Sequence, residues 1–276
     1  MKVSITILVE NTTPVAPLIG EYGFSALVTV DEHTILFDTG SNQALFTNSA
    51  ILGEKIGDAD AVVISHGHFD HTGGLVPYLQ KYGPKPVFAH PHLFAVRPKP
   101  LGKNRERQIG CPYSESQIIE AGGQLTYVDN FFELYQDVYI TGEIPRKSVF
   151  EDAGGDFKMM VNGSLQEDII IDDMALIVNH PEGLIIVSGC AHAGIINTIS
   201  YACEKTGNSK VLAVIGGTHL VGASQERIAK TIDALKKYDP DKVIVSHCTG
   251  FYAAAGILHE LGDRVVKGET GMQFQF

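Results

Sequence analysis

A chain of 276 residues with 44% apolar content is long enough to bury a large core in one domain covering residues 1–276. Its formal charge of −11 argues against nonspecific nucleic-acid binding, which needs a basic surface to neutralise phosphates. The N-terminal apolar run is too short for a secretory signal, no segment approaches membrane-spanning length, and the four cysteines (Cys111, Cys190, Cys203, Cys248) show no paired spacing, so the expectation is a reduced, cytoplasmic setting with no membrane partner.

The chain opens with strands. Residues 2–9 form the first, and Phe24–Val30 with Thr34–Phe37 form a hairpin around Asp31-Glu32-His33. Glu10-Asn11, at the end of the first strand, reads equally well as a cap or as facing a pocket. Asp38-Thr39-Gly40 ends a strand at a turn, and Ala44–Leu52 reads as a surface helix. The apolar run Ala61-Val62-Val63-Ile64 is then a short buried strand, and Gly73-Leu75 into Val76-Pro77-Tyr78-Leu79 starts a helix.

Between that strand and that helix lies Ser65-His66-Gly67-His68-Phe69-Asp70-His71-Thr72, with three imidazoles and a carboxylate within six residues. Neutral imidazole and carboxylate are ligands for zinc, iron or manganese, and such short spacings hold the donors together at little cost in chain entropy. Gly67 lets the chain turn sharply between the first two histidines. One histidine here would more simply cap a turn; four donors in this array point to one or two divalent metal ions, zinc first, iron or manganese as alternatives.

Past the helix Gly74–Tyr82, Val87-Phe88-Ala89-His90 is a further strand, with His90 and His92 given structural roles. The segment Arg97–Arg107 places five basic residues in an otherwise acidic chain. It is a solvated loop, or a mobile lid whose cations, Arg105 and Arg107 among them, meet an anionic small-molecule substrate such as a phosphate. Residues 124–128 and 137–140 are strands that begin or extend a second sheet. From Thr141 to about Gly163 the sequence is rich in glycine and charge without a period, a functional loop in which Arg146 adds a cation to a pocket mouth. Inserted loops are thus expected near 97–115 and 141–168.

From 168 onward the pattern is regular. Met174–Asn179 and Gly183–Ser188 form a hairpin, Ile195–Lys205 and Gln225–Tyr238 are helices, and Val211–Ile215 and Val243–Val245 are strands. Three apolar strands end in turns containing His192, His219 and His247. Strand ends on one edge of a sheet share a rim, so these three histidines are expected to converge on His66–His71. The C-terminal Met272–Phe276 alternates like an edge strand or a subunit contact, which leaves a homodimer open.

His66-x-His68-x-Asp70-His71 after an apolar strand resembles the signature of the metallo-β-lactamase superfamily. The resemblance implies an α/β (α+β) fold, a four-layer αββα sandwich with metals at one edge of two sheets. It also implies that His66 and His68 serve one metal, Asp70 and His71 a second, with His247 as the final histidine, and that Asp38 steadies a metal-bound histidine from behind. The chain departs from the pattern where Ser-Gly-Asp is usual: it has Ser188-Gly189-Cys190, with His192 two residues on, and residues 167–173 supply only acids where a third histidine motif would fall. One tightly held metal and two with unusual ligands, Cys190 and His192 among them, both stay open. Ser-Gly-Cys-Ala-His-Ala-Gly-Ile, Gly-Gly-Thr-His-Leu, Ser-His-Cys-Thr-Gly and Thr-Gly-Glu-Ile-Pro-Arg together resemble the branch named for 7,8-dihydropterin-6-methyl-4-(β-D-ribofuranosyl)aminobenzene-5′-phosphate synthase.

Three functions follow. The first, which the branch implies, is a metal-dependent enzyme acting on a phosphorylated small molecule by displacement of diphosphate. The second is a metal-dependent hydrolase of a phosphoester, ester or thioester. The third is a non-catalytic metal sensor. In the enzymatic readings Asp70 holds water or accepts a proton, and His219 is a ligand or a general acid.

Overall fold

The computed structural model describes residues 1–102 and 105–276. Lys103, one of the five basic residues of the 97–107 segment, lies outside the described residues. In chain order the first half runs β1 (Val3–Val9), β2 (Ser25–Val30), β3 (His33–Phe37), α1 (Ala44–Leu52), β4 (Ala61–Val63), α2 (Phe69–Thr72), α3 (Leu75–Tyr82), β5 (Lys85–Ala89), β6 (Pro98–Gly102), β7 (Arg105–Gln108), α4 (Glu115–Glu120) and β8 (Gly123–Tyr127). The second half runs β9 (Phe132–Tyr135), β10 (Val138–Ile140), β11 (Lys158–Val161), β12 (Ser164–Glu167), β13 (Ala175–His180), β14 (Gly183–Ser188), α5 (Ile195–Thr206), β15 (Val211–Gly216), α6 (Gln225–Tyr238), β16 (Lys242–Val245), α7 (Phe251–Leu261), β17 (Val265–Lys267) and β18 (Gln273–Gln275).

Two seven-stranded sheets result, in the orders β18-β1-β2-β3-β4-β5-β8 and β17-β16-β15-β14-β13-β10-β9. Because side chains alternate along a strand, each sheet has two apolar faces to cover. Ile5, Ile7, Val28, Ile35 and Val63 of the first sheet meet Leu176, Val178, Ile185, Val187 and Ile215 of the second in one buried core. The opposite face of the first sheet, with Leu36, Val62 and Ile64, is closed by Leu45 of α1, Leu75 and Leu79 of α3 and Ile118 of α4. That of the second, with Ile177, Ile186 and Val214, is closed by Ile199 of α5, Ile228 and Ile232 of α6 and Ile257 of α7. The molecule is therefore a helix–sheet–sheet–helix sandwich.

Two expectations are corrected. Residues 124–128 do not join the second sheet: β8 lies parallel to β5 in the first, with Val87 opposite Leu125, because the chain crosses back through α4 before re-entering it. Nor are the two inserts loops throughout. The first folds into the hairpin β6–β7 and the second into β11–β12, joined where Met160 N donates to Val96 O. The C-terminal residues pair within the chain, β18 lying antiparallel to β1. Among the described residues no helix is long and apolar enough to cross a membrane.

The inter-sheet core sets the stability of this arrangement. Ile185, fully buried there, is expected to cost about 2–5 kcal/mol when truncated to alanine. Urea unfolding of the Ile185→Ala variant measures it, and a loss below 1 kcal/mol would place that side chain outside a close-packed interior.

Candidate metal centre

Strands β14, β15 and β16 are parallel, as are β3 and β4, so the turns that follow them open on one rim. The turn after β4 carries His66 and His68 and enters α2 with Asp70 and His71. Its path leaves no room at Gly67, where a Cβ would lie 2.2 Å from the Leu93 carbonyl oxygen. The Gly67 N–H donates to Asp172 at 2.7 Å. Asp38, at the end of β3 and fully buried, accepts from Ser65 N and Ser65 Oγ at 2.7 Å each and lies 2.7 Å from His71 Nδ1. One carboxylate thus fixes the start of the metal loop and the ring of its last histidine.

The remaining donors arrive from the other sheet. His66, His68 and His192 form one set in which the candidate ligand atoms all lie within 4.8 Å of one another, and Asp70, His71 and His247 form another. Cys190 lies between them, its Sγ 3.3 Å from His71 Nε2, and shares such a set with His66 and His71. The third imidazole of the first set therefore comes from the turn after β14. Residues 167–173 are otherwise engaged: Asp168 and Asp172 bind the buried Arg97, and Asp173 accepts from Ala193 N at 2.8 Å. Two sets of three donors, with a thiol between them, are clusters of the chemistry that binds divalent metal.

The rest of the chain supports each donor. Glu10 accepts from His247 N at 2.7 Å and Asn11 Oδ1 lies 2.8 Å from His247 Nδ1, so the pair left open as cap or pocket residues holds the last histidine. His192 Nδ1 donates to the Ala153 carbonyl at 2.7 Å. The Nε2 atoms of His68 and His192 are buried with no hydrogen-bond partner, an arrangement costly for neutral imidazole unless an ion or ligand takes the lone pairs. His219 stacks beside His192 at a centroid distance of 4.1 Å, its Nδ1 likewise without a partner.

Burial depresses His68 to about 3 and, with the neighbouring imidazoles, holds His66 and His192 far below the usual histidine value, so all three are neutral and ready to ligate. His71 differs. Burial pulls it down, but Asp38 and Asp70 outweigh that and raise it to about 9. Burial works to raise the Asp70 carboxyl, yet His71 and His247 overcome it and keep Asp70 ionised.

A cavity of about 430 Å³ opens over these donors, with His68, Asp70, Cys190, His219 and His247 on its floor. Its walls carry Tyr22, Phe69 and Phe157, and Lys99 of β6 brings a cation to it. The cationic residues expected at the pocket mouth separate in space. Arg107 lies 4.2 Å over the ring of Phe69, at the edge of the cavity. Arg105 is exposed on β7 and does not line it. Arg146 does not line it either: its guanidinium donates to the carbonyls of His192, Ile169 and Ile170, which places it behind the donor loop as a brace. Arg97 is not a lid cation but a buried ion-pair residue. Of the described basic residues in the 97–107 segment, Lys99 is the one that lines the cavity, and nothing in a basic run signals which of its cations will do so. His90 accepts from His92 N at 3.1 Å, a local turn contact.

A two-sheet sandwich with this donor array at its rim defines a metal-centre protein of metallo-β-lactamase type. The family profile of the metallo-beta-lactamase superfamily matches residues 18–161. The chain is 32% identical over 274 residues, 95% of its own length and 92% of the relative's, to 7,8-dihydropterin-6-methyl-4-(beta-D-ribofuranosyl)-aminobenzene-5′-phosphate synthase of Methanocaldococcus jannaschii. A solved structure, Tm1679, described as a metal-dependent hydrolase of the beta-lactamase superfamily, superposes with a TM-score of 0.85 at 26% identity, covering 99% of this chain and 98% of that one. A diphosphatase of the PhnP family shares the fold at a TM-score of 0.53 and 12% identity, covering 100% of this chain and 98% of that one. The chain belongs to the metallo-β-lactamase superfamily, and its donor cluster and its relatives make it a metalloenzyme.

The His71–Asp38 contact gives the metal-free protein a pH dependence of known sign. With His71 raised from 6.5 to about 9, the contact stabilises fully below pH 6.5 and is lost as pH rises through about 9. The thermal midpoint of chelator-treated protein is expected to fall across that window, by about 2–4 °C for each kcal/mol lost. The decline should be much shallower in Asp38→Asn; an equal decline in both proteins would contradict the assignment.

Proposed function

We propose that this protein is a metal-dependent enzyme that joins an arylamine to a dihydropterin by displacing diphosphate from the pterin's methyl carbon, acting on an anionic, phosphorylated small molecule. The observation that carries the reading is the cavity itself: paired donor sets on the floor, three aromatic walls and a cation at the side. Support also comes from the synthase of Methanocaldococcus jannaschii, similar along nearly the whole chain.

His66, His68 and His192 would hold one ion and Asp70, His71 and His247 the other, with Cys190 between them; zinc suits imidazole, carboxylate and thiolate donors together, and iron or manganese are the alternatives. Ions bound there would supply Lewis acidity towards the phosphate oxygens. Taking up an ion releases the proton that His71 carries in the metal-free state, which makes binding stronger as pH rises. Tyr22, Phe69 and Phe157 offer flat apolar surface to a planar heterocycle. Lys99, with Arg107 over Phe69, faces negative charge at the phosphate end. In the displacement the amine nitrogen forms a bond to the methyl carbon as the carbon–oxygen bond to diphosphate breaks. The amine proton would leave to a base, with Asp70 the candidate, and His219 would protonate or bond the departing oxygen; both side chains line the cavity.

A second reading is hydrolysis of a phosphoester, favoured by the likeness to Tm1679. The same pocket would then direct water instead of an amine.

A discriminating assay follows diphosphate release by the zinc-loaded protein from a dihydropterin methyl diphosphate, with and without an arylamine, beside a panel of phosphoesters. Release that requires the amine is expected. Phosphoester cleavage without amine-dependent release would establish the hydrolase, and no turnover of either kind would remove the enzymatic proposal. Dialysis against a chelator should abolish turnover, and His68→Ala should lower bound metal at least about tenfold. Metal content equal to that of the unaltered protein would refute the ligand assignment.

A further inference from the structure

His192 is the donor whose support is least local. Its Nδ1–H points at a backbone carbonyl that only accepts, which fixes the tautomer and leaves Nε2 as the free lone pair facing His66 and His68. That carbonyl belongs to Ala153, in the segment 151–157, which crosses the rim between β10 and β11 without regular structure of its own. Its position must therefore come from elsewhere, and two anchors supply it.

The first anchor is Glu151. Its carboxylate accepts from Ile196 N and Asn197 N at 2.9 Å each and so caps α5, whose own N-cap residue, Gly194, has no side chain to do so. Gly194 makes the room: a Cβ there would lie 2.3 Å from the Glu151 carboxyl carbon. The second anchor is Asp152, paired with Nη1 of Arg227 on α6. Arg227 is only 4% exposed, and its Nε and Nη2 are buried without partners. A buried guanidinium with a single engaged nitrogen contributes little to stability for what its desolvation costs, so its use has to be sought in the contact it does make. Asp152 Oδ1 also accepts from Gly154 N at 2.7 Å, carrying the anchor directly into the next residues. Gly154 has φ +84° and lies so close to His219 that a Cβ would be 2.2 Å from its Cδ2. Phe157 then packs edge-on against His192 at 5.1 Å and against His219 at 5.6 Å.

We propose that residues 151–157 form a strap that orients His192, and that Asp152 and Arg227 are positioning residues whose ion pair holds the strap against α6. The proposal rests on the metal-centre reading for its consequence, weaker binding at the His66–His68–His192 set, but not for its geometry. Losing one anchor lets Ala153 O drift from Nδ1, so the ring is no longer held in one orientation or one tautomer.

Asp152→Ala, Arg227→Gln and Arg227→Lys test it, with zinc as the probe. Asp152 is largely exposed, but Asp152→Ala leaves the buried Arg227 guanidinium without its partner, so Arg227→Gln, which removes that charge, serves as the stability control. In the metal-free unaltered protein the His192 Nδ1 proton should be visible by NMR as a slowly exchanging imidazole signal. Asp152→Ala should lose that signal and weaken zinc binding, measured by competition with a chelator, about tenfold. Arg227→Gln, which removes the charge together with the pair, should lose the signal and the zinc affinity with a smaller fall in metal-free thermal midpoint than Asp152→Ala, a separation that a merely structural role would not give. Arg227→Lys should restore both. A retained Nδ1 signal in Asp152→Ala overturns the strap whether or not zinc binds, as does unchanged zinc affinity. Failure of the unaltered protein to bind zinc, with the signal lost in Asp152→Ala, overturns the metal-centre reading and leaves the strap standing.

Discussion

The contact on which the centre depends is the one between Asp38 and His71. A carboxylate with no exposed surface receives two hydrogen bonds from Ser65 and a third from an imidazole, so its charge is matched on every side by donors. An unpaired carboxylate at that depth would be far too costly to ionise, and the three donors are what make the site tolerable. Because Ser65 and His71 bracket the metal loop, satisfying Asp38 also fixes the curve of the chain between them. Asp38 itself sits at φ +58°, in the left-handed region, a local strain retained at the point where the loop is pinned.

Around that contact the protein divides its electrostatics. His66, His68 and His192 are neutral through burial and mutual repulsion, the form that ligates. Asp70 and His71 are held as an ion pair. A pocket that keeps some imidazoles neutral and one charged presents free lone pairs on one side and a proton on the other. Ser65 Oγ, 2.9 Å from His66 Nδ1, extends the Asp38 network to the first of the neutral rings.

The two inserts contribute the substrate side. Neither belongs to the sandwich, yet β6 brings Lys99 and the 151–157 segment brings Phe157 to the same cavity. The inserts are tied to the metal loop by a buried pair of carboxylates: Asp168 and Asp172 grip Arg97, and Asp172 also receives Gly67 N. Removing Arg97 would leave two carboxylates stranded beneath the donor loop, so the guanidinium couples the shape of the pocket to the shape of the centre.

What the sequence determined is what lies close along the chain. The apolar runs of the strands Val3–Val9 and Gly183–Ser188, the helix Gln225–Tyr238 and the donor run His66–His71 are local patterns, and each appears where its residues predict it. Asp38, Cys190, His192, His219 and His247 were also legible, because each follows a strand whose end falls on a shared rim. The partners of those residues were not. Glu10 lies 237 positions from His247, Asp172 105 from Gly67 and Arg227 75 from Asp152, and no periodicity reports such pairings. A cation's sequence neighbourhood likewise says nothing of its direction, so Arg97, Arg107 and Arg146 looked alike and came to rest in a core ion pair, on an aromatic ring and behind the donor loop. Only packing two sheets face to face decides which distant groups share a buried volume, and buried polar atoms then accept whichever partners that volume provides.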